Sequence, residues 1–154
     1  MANNVIAVDD PLAADVRELV ARHLDFARSQ SPPENVFALD ASGLADPAVT
    51  FYSCRRGREL LAIGALKHLS DHHGELKSMH TAGAARRQGL GRAMLGYLIG
   101  VARERGYQLL SLETGSMDGF APARALYASA GFTVCGPFAG YLSSPHSTFM
   151  RLPL

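Results

Sequence analysis

The first apolar run, Val5 to Val8, reads as a short strand. Apolar positions then recur at helical spacing through Leu12, Val16, Leu19, Val20, His23 and Phe26 or Ala27. Asp10 as an N-cap and Pro11 as a first helical position mark the start of that helix. Ser31-Pro32-Pro33 ends it, because proline has no amide hydrogen for a continuing helix. A short helical or irregular piece follows up to Gly43. Three strand-like runs come next: Val49 to Cys54, Leu60 to Leu69 and Glu75 to Thr81. The turns Arg55-Arg56-Gly57-Arg58 and Ser70 to Gly74 separate them, and this spacing predicts an antiparallel meander.

The strongest periodicity lies beyond the meander. Leu90, Ala93, Met94, Tyr97, Leu98, Val101 and Ala102 fall on one helical face. Arg103 and Arg105 occupy its last turn, where cations complement the helix dipole, and Gly106 stands where a left-handed cap belongs. Gln108 to Thr114 reads as a strand. Ala121 to Ala130 reads as a short helix, with Pro122 near its start and Gly131 just past its end. Phe132 to Cys135 and Thr148 to Leu152 are closing strands. The fold class is therefore α/β (α+β). Hairpin strands followed by a strand–helix–strand crossover predict a mixed, mostly antiparallel central sheet with helices on both faces.

Length and charge narrow the function classes. At 154 residues the chain is one domain, residues 1–154, large enough for a full core. A hydrophobic share of 47% against 19% charged residues belongs to a globular chain, not a disordered one. The formal net charge of +1 supplies no field that would draw in nucleic acid or an anionic membrane, so neither is expected as a partner. No stretch approaches the roughly 18 apolar residues of a membrane span. Asn3, Asn4, Asp9 and Asp10 lack the basic-then-apolar layout of a secretory leader. Cys54 and Cys135 lie far apart and form no CxxC pair, which fits inert thiols in a cytoplasmic setting. Any anion binding must be local.

One segment offers it. Arg86-Arg87-Gln88-Gly89-Leu90-Gly91-Arg92 leads from the strand ending at Thr81 into the strongest helix. The first amides of a helix have no internal partner and carry the positive end of the dipole. Glycines there admit a phosphate close to the backbone, and arginines add charge. A plain basic turn that starts a helix is the competing account. A P-loop is excluded because no Gly-Lys-Ser/Thr triplet exists, and a dinucleotide fingerprint because Met94 stands where the third glycine belongs.

Arg86-x-x-Gly89-x-Gly91 resembles the Arg/Gln-x-x-Gly-x-Gly/Ala signature of the GNAT superfamily of N-acetyltransferases. Leu76 to Thr81 stands where that family's fourth strand enters the loop, and Gly106-Tyr107 with Leu109 to Glu113 resembles its fifth strand. Ala125-Leu126-Tyr127 with Gly131-Phe132 resembles its Leu-Tyr-x-x-x-Gly-Phe hallmark. Ser31-Pro32-Pro33-Glu34, Gly74 to Met79 and Ser111 to Ser116 look like a YsnE-like bacterial branch.

The resemblance implies a GNAT-like sheet, acetyl-CoA as acyl-donor substrate and no metal. It implies that backbone groups of Met79, His80 and Thr81 pair with the pantetheine arm. The pyrophosphate would lie on the amides of Arg87, Gln88, Gly89, Leu90, Gly91 and Arg92, beside Arg86. Strands splayed around Met79 and Glu113 would admit the thioester, and Gln30 to Asn35 would wall the acceptor site. One position departs from the pattern: the family often carries Asn before the last helix, where this chain has Phe120, and the loop from Thr114 to Gly119 is longer than usual.

Acetyl transfer to an amine needs a neutral nucleophile, a donor for the tetrahedral oxyanion and a proton for the leaving thiolate. The amide near Met79 is the candidate oxyanion donor. Glu113, near a strand end, is the candidate base acting through water; a solvated or ion-paired carboxylate is an equal reading of it. Glu75 is the runner-up base, or a turn-edge residue. Tyr127 matches the family tyrosine that faces the cofactor sulfur and is the candidate acid.

His72-His73 read as a solvated turn with no third ligand at metal spacing, and His23 as a core histidine. Arg55, Arg56 and Arg58 read as a solvated turn, and Gly96 with Gly100 as a close-packing stripe. The expected partner is a small-molecule or peptide amine acceptor, with a homodimer possible through sheet edges. A non-catalytic acyl-CoA-binding sensor is the alternative function. Charged tRNA fits poorly with a charge of +1.

Overall fold

The computed structural model describes residues 3–154. The first strand, β1 (Asn4–Val8), leads into α1 (Ala14–Gln30) and the single-turn α2 (Ala41–Leu44). The meander follows as β2 (Val49–Arg56), β3 (Glu59–Ser70) and β4 (His73–Thr81). Then come α3 (Leu90–Glu104), β5 (Leu109–Gly115), α4 (Ala121–Ser129), β6 (Thr133–Cys135) and β7 (Ser147–Pro153). The order foreseen from the pattern holds. One seven-stranded sheet runs β1-β2-β3-β4-β5-β7-β6, antiparallel except where β5 lies parallel to β4.

Both faces of the sheet are covered. α1 buries Val16, Leu19, Val20 and Leu24 with Leu44 of α2 against Phe51, Ile63 and Ala65. On the opposite face α3 buries Leu90, Met94, Leu95, Leu98, Ile99 and Ala102, and Tyr127 of α4 joins the same core. The buried stripe of α3 is rotated from the predicted one, since Tyr97 is 40% exposed while Leu95 and Ile99 are inside. In α1, Leu24 is buried, whereas Leu12 lies before the helix and is 52% exposed.

Local chemistry corrects several expected boundaries. Asp10 does not cap α1, which begins at Ala14 without a side-chain cap; its carboxylate instead accepts from the Leu12 amide at 2.9 Å in a turn before the helix. His73 is no turn residue but the first residue of β4, its ring Nε2 2.7 Å from Ser111 Oγ. Glu75 is not at a turn edge either: it lies within β4 and is buried. Arg55 belongs to β2 and binds Asp9 at 2.8 Å and Asp15 at 2.6 Å, tying the approach to α1 onto the sheet. Gly106 closes α3 as expected, at φ 81°, with Tyr107 N–H donating to Ala102 O at 3.1 Å.

Two irregularities position the site. β4 and β5 pair only through His73–Leu109, Gly74–Leu110 and Glu75–Ser111, while β5 stays paired with β7 along its whole length to Gly115. Beyond Glu75 the strands part. On the other side of β4, the register with β3 shifts between Ile63–His80 and Ala65–Lys77, so Ser78 and Met79 together oppose Gly64. Ser78 sits at φ 56°, the left-handed conformation that a β-bulge of this kind demands and that costs a side chain energy. Gly64 is required here, since a Cβ would come within 2.9 Å of Met79 Sδ and of Leu98 Cδ1.

Candidate active site

Where β4 and β5 part, a cleft of about 550 Å³ passes through the sheet. His23 and Phe26 of α1 line it from one face, and Met94, Leu126 and Tyr127 from the other. Met79, His80 and Thr81 form one edge, Glu113 and Thr114 the other, and Arg86, Arg87 and Gly91 the end nearest α3. Of the residues singled out in the sequence, Met79, His80, Thr81, Arg86, Arg87, Gly91, Glu113 and Tyr127 line this cleft, and Glu75, Gln88, Gly89, Leu90 and Arg92 do not. The Leu90 side chain is buried in the core, and Gln88 turns its side chain to Arg56 at 3.2 Å.

The turn before α3 is anion-receptive through its backbone. Arg87 at φ 65° and Gly89 at φ 74° alternate with ordinary conformations, an arrangement that gathers successive amides around a concavity. Ala93 N–H is the first to bond back, to Gly89 O at 3.0 Å, so the amides of Leu90, Gly91 and Arg92 have no helical partner. Gly91 lies against Leu126 of α4, where a Cβ would come within 3.3 Å.

Glu113 lies on the β5 edge of the gap. Burial raises its pKa to about 7, with Glu75 adding to the rise. The Ser147 hydroxyl and Lys77 act in the opposite direction, although Ser147 Oγ does not reach full hydrogen-bond geometry with any partner. A carboxyl so placed exchanges a proton near neutrality. Tyr127 is buried beside it, and burial followed by the Glu113 charge pushes its phenol above the usual range, so the proton is retained.

Glu75, the other candidate carboxylate, is committed elsewhere. Its Oε2 accepts from Tyr141 Oη at 2.6 Å and from Lys77 Nζ at 3.2 Å. Glu113 is the carboxylate free of such partners.

Histidines also meet here. His23 Nδ1 and His80 Nδ1 are 3.0 Å apart, so one ring donates and the other, neutral, accepts. Burial holds both near a pKa of about 4; His23 is lowered further by His80, and His80 by Arg86 and Arg22. The pair fastens α1 to the β4 edge of the cleft, a role for the His80 ring beyond any backbone contact.

The model of the acetyltransferase (GNAT) family matches residues 14–132. The chain belongs to this family. The N-acetyltransferase YsnE of Bacillus subtilis (strain 168), itself uncharacterized, is 47% identical over 149 residues, 97% of this chain and 99% of that protein. A Klebsiella pneumoniae structure assigned as an acyl-CoA N-acyltransferase is 29% identical with a TM-score of 0.79, over 98% of this chain and 97% of that one. A GNAT family acetyltransferase from Elizabethkingia anophelis with acetyl-CoA bound shares the fold at a TM-score of 0.64 and 16% identity, over 99% of both chains. This chain is accordingly an acetyltransferase.

The GNAT departure at Phe120 has a structural counterpart. Phe120 packs over Gly115, where any Cβ would collide with its ring, and meets Phe26 of α1 edge-to-face at 5.2 Å. Arg124 Nη1 donates to Gly115 O at 2.7 Å and Met117 O at 3.0 Å, which fixes the loop between β5 and α4. An apolar contact across the cleft thus stands where the resemblance led us to expect an asparagine. Of the segment Gln30 to Asn35, Ser31 and Asn35 line the cleft, joined by Val36 and Phe37. Pattern reading missed Lys77, Ser78 and Tyr141. The one signal for Tyr141 was Phe138-Ala139-Gly140-Tyr141, whose central residues turn at φ 48° and 81° and bring Tyr141 N–H to Phe138 O at 2.9 Å.

The histidine pair makes stability depend on acid. Unfolded histidine binds a proton below about pH 6.5 and the folded pair only near pH 4, so the pair's contribution is complete above pH 6.5 and is lost as pH falls toward 4. Glu113 acts in the opposite direction over an overlapping window, so the difference between variants is the informative quantity. His23→Asn keeps a hydrogen-bonding group near Nδ1 but cannot titrate. Between pH 7 and 4.5 the wild type should lose about 1–2 kcal/mol relative to it in urea denaturation. Parallel stability–pH curves would show that the pair is not held neutral.

Proposed function

We propose that this acetyltransferase transfers the acetyl group of acetyl-CoA to a primary amine of a small molecule or peptide by direct attack on the thioester. The observation that carries the reading is the gap between β4 and β5, with Glu113 and Tyr127 on its walls and the free amides of α3 at its end. The pyrophosphate of the donor fits the turn from Arg87 to Arg92, beside Arg86, because a phosphate needs several convergent amides and little else. The pantetheine arm runs along the edge of β4 at Met79, His80 and Thr81, whose β5 side is unpaired. The face of α3 and α4 is therefore the donor side, and the face of α1 the acceptor side.

Glu113 takes the proton of the incoming ammonium, directly or through one water. Its pKa of about 7 makes it a stronger base than an ordinary carboxylate and leaves it largely ionised above neutrality. The amine nitrogen attacks the thioester carbon, and the Met79 amide, in the bulge, stabilises the oxyanion that forms. As the carbon–sulfur bond breaks, Tyr127 gives its proton to the thiolate, and the extra proton still carried by the attacking nitrogen passes to the phenolate, so that a neutral amide and a thiol leave. The raised pKa of Tyr127 suits a donor that must not ionise beforehand.

Glu113→Gln separates catalysis from stability. The rate kcat/KM of the wild type should rise through an acid limb near pH 7, and the variant should lose about 10²–10⁴-fold with that limb absent. Stability should move the other way. The folded carboxyl holds its proton to about 7 and a free one to 4.5, so its ionisation costs stability as pH rises through that window. At pH 8 the variant should be more stable by on the order of 1–3 kcal/mol. An unchanged rate at pH 7 would remove Glu113 from the chemistry.

Tyr127→Phe keeps the ring in the core against Phe132 and removes only the acid. Its kcat should fall by at least about 10-fold while acetyl-CoA affinity, measured by calorimetry, is preserved. The phenol's raised pKa also places any alkaline limb above the ordinary phenol value of about 10, so the wild-type rate should stay level up to that pH. Equal kcat in the two proteins would reduce Tyr127 to a packing residue.

A further inference from the structure

A carboxyl that exchanges a proton must be held in place as well as buried. Among the described residues Glu113 makes no ion pair. The pairing of β5 with β7 decides which neutral group stands near it. Glu113 lies opposite Phe149, and Gly115 opposite Ser147. Side chains two residues apart share a face of a strand, so Glu113, Phe149 and Ser147 lie on one face, with Ser147 diagonal to Glu113. Diagonal neighbours are about 7–8 Å apart, a span that a long side chain covers.

No other side chain competes from directly across, because the residue opposite Ser147 is a glycine. The Phe120 ring fills the place of a side chain at Gly115, and neither it nor Phe149 offers a hydrogen bond. The Ser147 hydroxyl is thus the neutral donor that β7 brings to Glu113.

The state of that hydroxyl is an independent observation. Ser147 is buried, and its Oγ has no hydrogen-bond partner. A buried hydroxyl left so costs energy. Its backbone cannot move to relieve it. Ser147 N–H donates to Ser144 O at 3.3 Å and Ser116 N–H to His146 O at 3.0 Å, while Ser116 Oγ and Thr148 Oγ1 are 2.7 Å apart. These bonds pin the start of β7 on both sides of Ser147. The Glu113 carboxyl is the movable partner. The last torsion of a glutamate is soft, so a modest turn brings one oxygen onto Ser147 Oγ without moving either strand. The hydroxyl already acts on Glu113 as a donor would, lowering its pKa against the larger rise from burial.

We propose that Ser147 is the positioning residue of the base: its hydroxyl donates to one Glu113 carboxylate oxygen and leaves the other directed into the cleft. This rests on the acyl-transfer reading above, in which Glu113 is the base. The proton from the ammonium goes to the cleft oxygen, and Ser147 neither gains nor loses one. A hydrogen bond to the carboxylate favours its charged form, so it limits the rise that burial imposes and keeps the base ionised close to neutrality.

Other charges bear on the same carboxyl. Lys77 and Glu75 of β4 act on Glu113, and Tyr127 of α4 and Tyr141 of the turn before β7 feel its charge. His23, His80, Arg86 and Arg87 line the same cleft. Ser147→Ala leaves all of them in place, and it removes a buried group that has no other partner, so the fold is retained.

The test follows the Glu113 carboxyl directly, by NMR of protein with isotope-labelled glutamate carboxyl carbons, the signal assigned with Glu113→Gln. In Ser147→Ala the titration midpoint should rise by about 1 pH unit from the wild-type value of about 7, the worth of one hydrogen bond to a charged group. The acid limb of kcat/KM with one fixed amine acceptor should rise equally, a loss of about 5- to 10-fold near pH 6 and of little near pH 9. In the Glu113→Gln background the same serine change should leave the pH profile where it was. A serine that only fills space predicts a wild-type midpoint and an unmoved limb. Either result overturns the proposal and leaves Glu113 as the base. Absence of the acid limb in the wild type, with the midpoint still moved by Ser147→Ala, is instead the failure of the base reading: the contact stands and the base lies elsewhere.

Discussion

The site depends on the parting of β4 from β5. β5 bonds β7 through one edge along its whole length to Gly115, whereas its other edge pairs with β4 only as far as Glu75–Ser111, short of the bulge at Ser78 and Met79. The edge of β4 that faces β5 is left unpaired by it beyond Glu75. In a sheet covered on both faces, unpaired backbone is costly, so the opening is stable only as a place where something else bonds. The same parting brings Glu113 and Tyr127 to an interior surface. It also opens a passage between the two helical layers, on which the proposed meeting of donor and acceptor from opposite faces rests.

Burial then sets the chemistry. The wall of the passage holds Glu113, Tyr127, Lys77 and the His23–His80 pair, with Glu75 bonded to Lys77. Glu75 is also bonded to Tyr141. Burial holds the histidines neutral, and they share a hydrogen bond. Glu113 lacks a strong partner, and burial displaces its pKa upward. Replacing it with glutamine should therefore stabilise the fold while harming the reaction, the usual trade at a functional site.

Much of this was legible in the chain. Element order and the anion-receptive turn follow from periodicity, prolines and the spacing of Gly89 and Gly91, because these are local signals. Boundaries at Asp10 and His73 were misjudged, since a turn carboxylate resembles a helix cap and a histidine resembles a loop residue until tertiary pairing decides. The stripe of α3 was read one residue out of phase because Ala93 and Tyr97 are apolar by type yet face solvent or the helix flank. Lys77, Ser78 and Tyr141 were invisible for a different reason. Their significance lies in a bulge and in a contact between β4 and a turn far along the chain, and no periodicity encodes either.

The most direct measurement of the central claim is a crystal structure of the protein with acetyl-CoA. The pyrophosphate should rest on the amides between Arg87 and Arg92. The thioester should enter the gap between β4 and β5, its carbonyl oxygen within hydrogen-bond distance of the Met79 amide and its sulfur facing Tyr127. A donor bound with its pyrophosphate away from that turn, or with its thioester outside the gap, would contradict the account.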